Sequence, residues 1–439
     1  MPLQKNQVLT LRVERLSSDG SGVAHSPDGE TVFIPGAAPG DEARVRIVKD
    51  CKRYAFGILD EVLTPSPDRI PVDCAVAGPC GGCSLRHLDY AAELRAKQEN
   101  VADAFARIGG LDVPVLPIVG SPEVNRYRNK VQFPVGVDKS GKPCIGFYAG
   151  RTHRIVPCPD CRLQPGVLNE IGNALCAFFA EKGIQPYSEE TGRGLVRHIF
   201  LRRGAHSGQI MVCLVCTRAK LPSAEELCTR LKAQFAEITT ILLNVNAKNT
   251  NVILGTETHT LYGPGYIEDT LCGVPVQLGP LSFYQVNTLA AEQLYGIAAQ
   301  YAQLTPDDLL LDLYCGMGTI GLSMAAHCRE LIGVEIVPEA IESAKANAAR
   351  MGADVAAKSR FFCADAGQAA TRLAAEGLHP DIVMLDPPRK GCDEATLSAV
   401  VRMSPRRVVY VSCNPATAAR DAAWLDKIYH AVTGDKPEA

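Results

Sequence analysis

The stretch Leu309–Ala326, LLLDLYCGMGTIGLSMAA, constrains the fold more than any other part of the chain. An apolar run leads into glycines at positions 316, 318 and 321, and a helical pattern of small and apolar residues follows. This order predicts a buried strand, a tight glycine turn and a helix whose first N–H groups face a ligand. The pattern predicts an α/β domain with a parallel sheet. By itself it fits a dinucleotide as well as other nucleoside cofactors.

Acidic residues recur where the following strands are expected to end. ELIGVEIV contains Glu335, 23 residues after Asp312, and an acid at this distance can bind a ribose diol. RFFCADA places Asp365 after the next strand, and DIVMLDPPRKG places Asp386 after the one that follows. The glycine turn contains no Lys or Arg to bind phosphate. S-adenosylmethionine has no phosphate and carries a sulfonium cation, so this methyl donor fits the pattern better than NAD.

A cysteine ends the last strand-like run, VVYVSCNP at Val408–Pro415. A thiol at the carboxyl edge of the sheet, here Cys413, can act as a nucleophile. Asp-Pro-Pro loops also occur in enzymes that methylate amino nitrogens, but a nearby thiol favours carbon 5 of uracil. That carbon becomes nucleophilic once a thiolate has added to carbon 6, and a base within folded RNA must first be flipped out.

The first 63 residues predict a small β-barrel. Short runs rich in β-branched residues alternate with turn clusters, which favours a closed barrel of the OB type, a shape often used to bind nucleic acid. The strand-like runs are Val8–Leu16, Thr31–Pro35, Glu42–Lys49 and Ala55–Val62.

The chain contains 17 cysteines. It begins without a secretion signal and has no run long enough to cross a membrane, so we predict a cytoplasmic protein whose cysteines are thiols or metal ligands. Cys74, Cys80 and Cys83 can converge on one metal centre, with Cys158 or Cys161 as a fourth ligand. Their spacing favours a structural [4Fe–4S] cluster over zinc. Cys213 and Cys216 lie in an apolar strand-like run and are predicted to pack in the core.

The net charge of −3 hides an uneven distribution. Residues 121–220 contain 15 Lys and Arg against 7 Asp and Glu, which makes this segment +8 and the remainder −11. Basic and aromatic residues alternate in RYRNKVQF at 126–133 and in GFYAGRTHRIV at 146–156. These runs are interpreted as strands of an RNA-binding face, with an ordinary basic surface as the alternative.

Taken together, the motifs CGGCSLRHL, YRNKVQF, FYQVN, DLYCGMGTIGL, DPPRKG and VSCNP resemble those of the RNA uracil-5-methyltransferases. The most similar branch has a TRAM domain and a [4Fe–4S] cluster and acts on 23S ribosomal RNA. The resemblance implies a Rossmann-like class I methyltransferase domain at 281–439. It also implies a TRAM barrel at 1–63 and a central α+β domain at 64–280.

The resemblance also implies roles for individual residues. Cys74, Cys80, Cys83 and Cys161 resemble the cluster ligands, which leaves Cys158 as an extra thiol. Cys413 resembles the nucleophile. The residues that resemble S-adenosylmethionine contacts are Gln285, Tyr314, Thr319, Glu335, Asp365 and Asp386. The implied partner is 23S ribosomal RNA, with no membrane or protein partner.

One family segment has no match in this sequence. Family members continue with an Asp-x-Phe-Pro…His-x-Glu segment that supplies the last two strands and a glutamate base. We therefore expect those strands to be missing, Val408–Ser412 to form a sheet edge, and the covalent adduct to release slowly. Two alternatives stay open: an RNA-binding relative without turnover, and a transfer-RNA uracil-5-methyltransferase.

Overall fold

A computed structural model describes residues 3–248 and 250–433 of the chain. The chain forms two compact units. The first comprises the chain up to Arg107 with Asp112–Gly120 and Phe147–Val156, and the second comprises Ile108–Leu111, Ser121–Gly146 and the chain from Pro157 onward. Among the described residues, no helix has the length and apolar character needed to cross a lipid bilayer.

The first unit contains the predicted barrel. Its strands close in the order β1-β2-β3-β5-β4, and residues alternate between a buried inner face and the outside of the barrel. On the inner face, a Cβ on Gly57 would lie 2.3 Å from Val45 Cγ1, so only glycine lets these strands close. The strands are β1 (Val8–Leu16), β2 (Gly22–His25), β3 (Thr31–Ile34), β4 (Glu42–Asp50) and β5 (Tyr54–Thr64), followed by helix α1 (Tyr90–Ala104).

The second unit begins with a mixed sheet in the order β12-β11-β10-β9-β6-β7 and a separate hairpin, β13-β14. Its elements, given with the short strand β8, are β6 (Lys130–Val137), β7 (Pro143–Tyr148), β8 (Ile155–Pro157), α2 (Gly166–Glu181), β9 (Val196–Arg203), β10 (Ile210–Cys216), α3 (Ala224–Gln234), β11 (Ile238–Val245), β12 (Glu257–Tyr262), β13 (Ile267–Leu271) and β14 (Val274–Leu278). Cys213 and Cys216 on β10 are fully buried, which confirms their predicted core position. Burial raises the pKa of each thiol to about 12.

The remainder of the second unit is the predicted α/β domain. Its strands are all parallel, in the order β17-β16-β15-β18-β19. The elements are α4 (Thr288–Ala302), β15 (Leu309–Leu313), α5 (Thr319–Met324), β16 (Glu330–Glu335), α6 (Pro338–Met351), α7 (Ala353–Lys358), β17 (Ser359–Cys363), α8 (Ala366–Ala375), β18 (Ile382–Leu385), α9 (Glu394–Met403), β19 (Arg407–Tyr410) and α10 (Pro415–Thr433). The strand order reverses at β15: β16 and β17 follow on one side of it, and β18 and β19 lie on the other. The ends of β15 and β18 therefore form a topological switch point, where open α/β sheets bind ligands.

The predicted strand over residues 126–133 is wrong in its first half, whereas RNA binding by this run stays a prediction. The strand begins at Lys130, and Arg126 sits before it in a left-handed conformation (φ 59°). The Arg126 guanidinium donates to Asp160 and to the Cys161 and Gln164 carbonyls, and Phe133 is fully buried. These side chains therefore hold the domain together. Residues 146–156 likewise form no single strand, because β7 ends at Tyr148 and β8 begins at Ile155.

Candidate functional site

The parallel sheet collects the predicted site residues at one edge. Because every strand runs in the same direction, the residues that follow β15 to β19 all lie at the carboxyl edge. The residues at that edge are Tyr314, Glu335, Asp365, Asp386 and Cys413. The switch point separates Tyr314 and Asp386, which follow the adjacent strands β15 and β18.

The glycine turn after β15 is held in left-handed backbone conformations. Gly316 and Gly318 have φ angles of 55° and 80°, and Tyr314 adopts φ 67°, which is uncommon for a residue with a side chain. The Glu335 carboxylate fixes this turn: Oε2 accepts from Gly316 N at 3.1 Å and Oε1 accepts from Val337 N at 3.0 Å. Glu335 thus joins the ends of β15 and β16 and holds the glycine turn in place.

Asp312 lies beneath the turn and is almost fully buried. Its Oδ2 accepts from Gly321 N at 3.0 Å, whereas Oδ1 has no hydrogen-bond partner within the described part of the chain. Gly321 is required here, because a Cβ would lie 2.9 Å from Asp312 Oδ2. Burial, with smaller contributions from Asp386 and Glu335, raises the pKa of Asp312 to about 8.

Tyr295 on α4 connects three of the predicted residues. Its hydroxyl lies 3.3 Å from Thr319 Oγ1, and it also interacts with the side chain of Gln285 and the charge of Asp386. Burial raises the pKa of Tyr295 to about 12 and that of Asp386 to about 6. Sequence reasoning missed Tyr295, because a tyrosine within an amphipathic helix has no distinguishing local signal.

The FYQVN segment is positioned by the central sheet. Asn129 Nδ2 donates to the Gln285 carbonyl at 2.7 Å and to Thr288 Oγ1 at 2.9 Å. Arg202 on β9, almost fully buried, donates to the Gly279 and Ser282 carbonyls at 2.8 and 2.7 Å, and burial lowers its pKa to about 10. Gln285 therefore reaches the site on a loop that is fixed at both ends.

Asp365 begins helix α8. Its Oδ1 accepts from Gln368 N at 3.1 Å, the usual bond of a helix N-cap. On the neighbouring strand end, Ile336 is 62% exposed and Val337 is 46% exposed. An apolar surface beside a polar strand end suits the flat ring of a nucleoside.

Cys413 is exposed in the turn between β19 and α10. Ser412 Oγ accepts from Asn414 N, and Asn414 Oδ1 accepts from Ala416 N, each at 3.1 Å, so the turn is a helix N-cap. A cysteine in such a turn presents its thiol to a ligand at the edge of the sheet. The geometry therefore suits a nucleophile.

A hydrogen-bond network fixes this turn against the DPPRKG loop. The buried carboxylate of Asp421 on α10 accepts from the Tyr410 hydroxyl at 2.6 Å, from Cys392 N at 2.8 Å and from Arg420 Nε at 2.7 Å. Arg420 donates onward to the Lys390 carbonyl at 2.9 Å. Asp421 was not singled out from the sequence, because it lies eleven residues after Tyr410 in a stretch without a motif.

The cysteine-rich loop lies in the first unit. Gly82 N donates to Cys80 Sγ at 3.4 Å. Burial by itself lowers the pKa of Arg86. The hydrogen bond to Asp73 and the nearby Cys83 and Cys74 outweigh this effect, so the pKa is raised. Nevertheless, the described residues contain no group of three or more His, Cys, Asp or Glu placed to hold a metal ion. Cys161 belongs to the second unit. The [4Fe–4S] cluster therefore stays a prediction.

The fold and the site define a methyltransferase that uses S-adenosylmethionine. A family model described as tRNA (Uracil-5-)-methyltransferase matches residues 208–433, and the TRAM domain model matches residues 2–59. The chain belongs to the RNA uracil-5-methyltransferases, as its motifs predicted.

Individual proteins support this membership. The chain is 42% identical to an uncharacterized RNA methyltransferase of Halalkalibacterium halodurans, over 97% of this chain and 92% of that protein. It is 40% identical to one of Staphylococcus epidermidis, over 98% and 94% of the two chains. Among solved structures, it resembles the Pyrococcus abyssi tRNA (uracil-54, C5)-methyltransferase in complex with S-adenosyl-L-homocysteine. That match has 26% identity and a TM-score of 0.75, and covers 96% of this chain and 94% of the other.

We predict that Asp421→Asn loosens the Cys413 turn. An amide at this position keeps the size of the side chain but replaces charge-assisted bonds with weaker ones, and the free energy of unfolding should fall by ~1–3 kcal/mol. Hydrogen exchange should accelerate at the Cys392 amide, which donates to Asp421. Glu394→Gln, at an exposed position in α9, is the matched control. Equal exchange rates at Cys392 in Asp421→Asn and in the wild type would refute this role.

Proposed function

We propose that this protein methylates carbon 5 of a uridine in 23S ribosomal RNA through a covalent bond between Cys413 and carbon 6. The observation that supports it best is the exposed Cys413 thiol at the sheet edge that also holds the glycine turn and Asp386. Such an enzyme is expected in the cytoplasm, where its substrate is found.

Cys413 would supply the nucleophile. Its thiolate adds to carbon 6 of the flipped uracil, and the electron pair of the 5,6 double bond moves into the carbonyl as an enolate. The enolate returns that pair through carbon 5 to the methyl group, and the bound donor supplies this methyl and leaves as a neutral thioether. A general base then takes the carbon-5 proton, and the electron pair of that C–H bond re-forms the 5,6 double bond and expels the Cys413 thiolate.

The remaining predicted residues would bind the methyl donor and the target uracil. The left-handed turn from Tyr314 to Gly318 can bring its backbone close to the amino-acid part of the donor, and Thr319 begins the adjacent helix. Glu335 and Asp365 lie at the strand ends where a ribose and an adenine are expected. Gln285 and Asp386 meet around Tyr295, next to the switch point.

Features of the barrel favour an RNA substrate that extends beyond the modified uridine. Phe33, Tyr54 and Phe56 form a cluster with ring centroids 5.6–5.8 Å apart. The residues that alternate with them on β3 and β5 are buried inside the barrel, so the three rings lie on its outer face. Lys49 and Lys52 lie in the adjoining strand and turn, and none of the ion pairs among the described residues involves them. Tyr54 is exposed and the other two rings are partly exposed, and such rings beside cations suit single-stranded RNA. A barrel that binds RNA in addition to the methyltransferase domain is consistent with a large ribosomal RNA substrate.

We predict that Cys413→Ser abolishes covalent trapping of RNA. With 5-fluorouridine RNA, carbon 5 has no proton to lose after methylation, so the wild-type adduct should accumulate as a denaturant-resistant band. Serine lacks the reactivity of the thiol and should reduce this band to background. Cys363→Ser is the control, because Cys363 is also exposed and ends the strand β17 at the same sheet edge. A band that persists in Cys413→Ser would exclude Cys413 as the nucleophile.

We predict that deleting the gene removes a 5-methyluridine from 23S ribosomal RNA, detected by mass spectrometry of digested RNA. Complementation with the wild-type gene should restore it, and complementation with Cys413→Ser should not. Loss from transfer RNA instead would assign the protein to the transfer-RNA enzymes. Unchanged methylation in both RNAs would favour an RNA-binding protein without turnover.

We also propose that Cys74, Cys80, Cys83 and Cys161 bind a [4Fe–4S] cluster. The support is the sequence spacing, together with the short contact from Gly82 N to Cys80 Sγ and the cation of Arg86 beside Cys74 and Cys83. A backbone donor and a nearby guanidinium both stabilise thiolate sulfur.

We predict that protein purified without oxygen contains iron and acid-labile sulfide in equal amounts and absorbs broadly in visible light. Cys161→Ser should lose most of both, because it removes one of four ligands. Cys158→Ser is the matched control: Cys158 is also buried, lies three residues away, and should not affect the iron content. Zinc without sulfide, or equal iron loss in both variants, would contradict the assignment.

A further inference from the structure

Asp312 carries a buried carboxyl group beneath the glycine turn. It is 1% exposed, and one of its oxygens, Oδ1, has no hydrogen-bond partner within the described part of the chain. Its other oxygen accepts only from Gly321 N. A buried carboxylate without a cation or a full set of donors is strongly destabilised, so it either holds a proton or binds positive charge.

The groups that face Asp312 provide no positive charge. Asp386 follows β18 and Glu335 ends β16, and both carboxylates oppose ionisation of Asp312. From α4, the neutral hydroxyl of Tyr295 lies near Asp312, and the thiol of Cys315 approaches from the glycine turn. Burial, together with the negative charges of Asp312 and Glu335, raises the pKa of the Cys315 thiol. The charged residues that shift the pKa of Asp312 are thus both carboxylates, with no cation among them.

We propose that Asp312 gives up a proton when the methyl donor binds, because a positive charge of the donor replaces that proton as the partner of the carboxylate. S-adenosylmethionine carries two positive charges, the sulfonium and the α-ammonium, and either can fill this role. Asp312 would then act as a selectivity residue: it favours a cationic ligand over a neutral one. The inference rests on the proposed binding of the donor at the carboxyl edge of the sheet.

A dependence of binding on pH follows, and its sign is fixed. The pKa of Asp312 is about 8 in the free protein, so near neutral pH the group is mostly protonated. A bound cation stabilises the ionised form and lowers this pKa, so binding releases a proton at any pH between the two values. If the sulfonium is the partner, the affinity should therefore rise with pH, by up to about tenfold per unit, and level off above about pH 8. An ammonium partner loses its own charge near that pH, so the affinity would instead pass through a maximum there.

If the sulfonium is the partner, the product would behave differently. S-adenosylhomocysteine retains the ammonium but has a neutral sulfur, so its affinity should be almost independent of pH. Methyl transfer would then also remove the charge that holds Asp312 ionised, and reprotonation would favour product release. If the ammonium is the partner, donor and product would show the same pH dependence.

Calorimetry measures the proton directly. Binding is titrated at pH 7 in phosphate and in Tris, whose ionisation enthalpies differ, and the difference in heat gives the number of protons released. We expect about 0.9 protons per S-adenosylmethionine in the wild type, from the protonated fraction at a pKa of about 8. S-adenosylhomocysteine and 5′-deoxy-5′-dimethylthioadenosine, which has the sulfonium without the ammonium, separate the two charges.

Asp312→Asn is the decisive variant, because its amide keeps the shape and can still accept from Gly321 N. Release should fall to near zero in this variant, and Glu339→Gln, exposed in the first turn of α6, should behave like the wild type. Infrared spectroscopy gives a second readout without any substitution: the C=O band of a protonated carboxyl group should disappear from the wild type when the donor binds.

The outcomes separate this inference from the proposed function. Donor binding with no proton release and an unchanged carboxyl band would overturn the role of Asp312 and leave the methyl-donor pocket intact. Release that persists in Asp312→Asn would assign the proton to another group, such as Asp386, and would also overturn it. No donor binding in the wild type would refute both proposals.

Discussion

The parallel pairing of β15 with β16 on one side and β18 on the other is the constraint on which the site depends. It brings Asp312, Glu335 and Asp386 together, although they come from segments far apart in the sequence. Burial raises the pKa of Asp386, and burial with smaller contributions from the charges of Asp386 and Glu335 raises the pKa of Asp312. The sheet can hold this arrangement because apolar packing on both faces offsets its cost.

The glycine turn shows how the chain satisfies some of these charges with its own backbone. Glu335 accepts two N–H groups and Asp312 accepts one, so part of the negative charge organises the turn. Asp312 Oδ1 has no hydrogen-bond partner within the described part of the chain.

Groups outside the α/β domain motifs hold the two reactive loops. Asn129 and Arg202, from the central sheet, fix the segment that carries Gln285. Asp421 and Arg420, from α10, fix the DPPRKG loop beside the Cys413 turn. Arg202 illustrates the energetic balance: burying a guanidinium is unfavourable, and direct bonds to two carbonyls offset that cost. The basic middle segment, interpreted from the sequence as an RNA-binding surface, thus uses several of its cations inside the protein.

The sequence by itself determined the barrel, the parallel α/β domain and the types of residue at each strand end. These follow from local patterns: alternation of apolar residues, glycine turns, and acids placed just after apolar runs. It also indicated Cys413, because a cysteine in a polar turn after a buried strand is a local feature. Only the tertiary structure decided that Asp312 lacks a partner, that Tyr295 joins Gln285 to Thr319, and that Arg126 turns inward. Asn129 and the Gln285 carbonyl that it contacts are 156 residues apart, and such pairs depend on how whole elements pack, which no local pattern records.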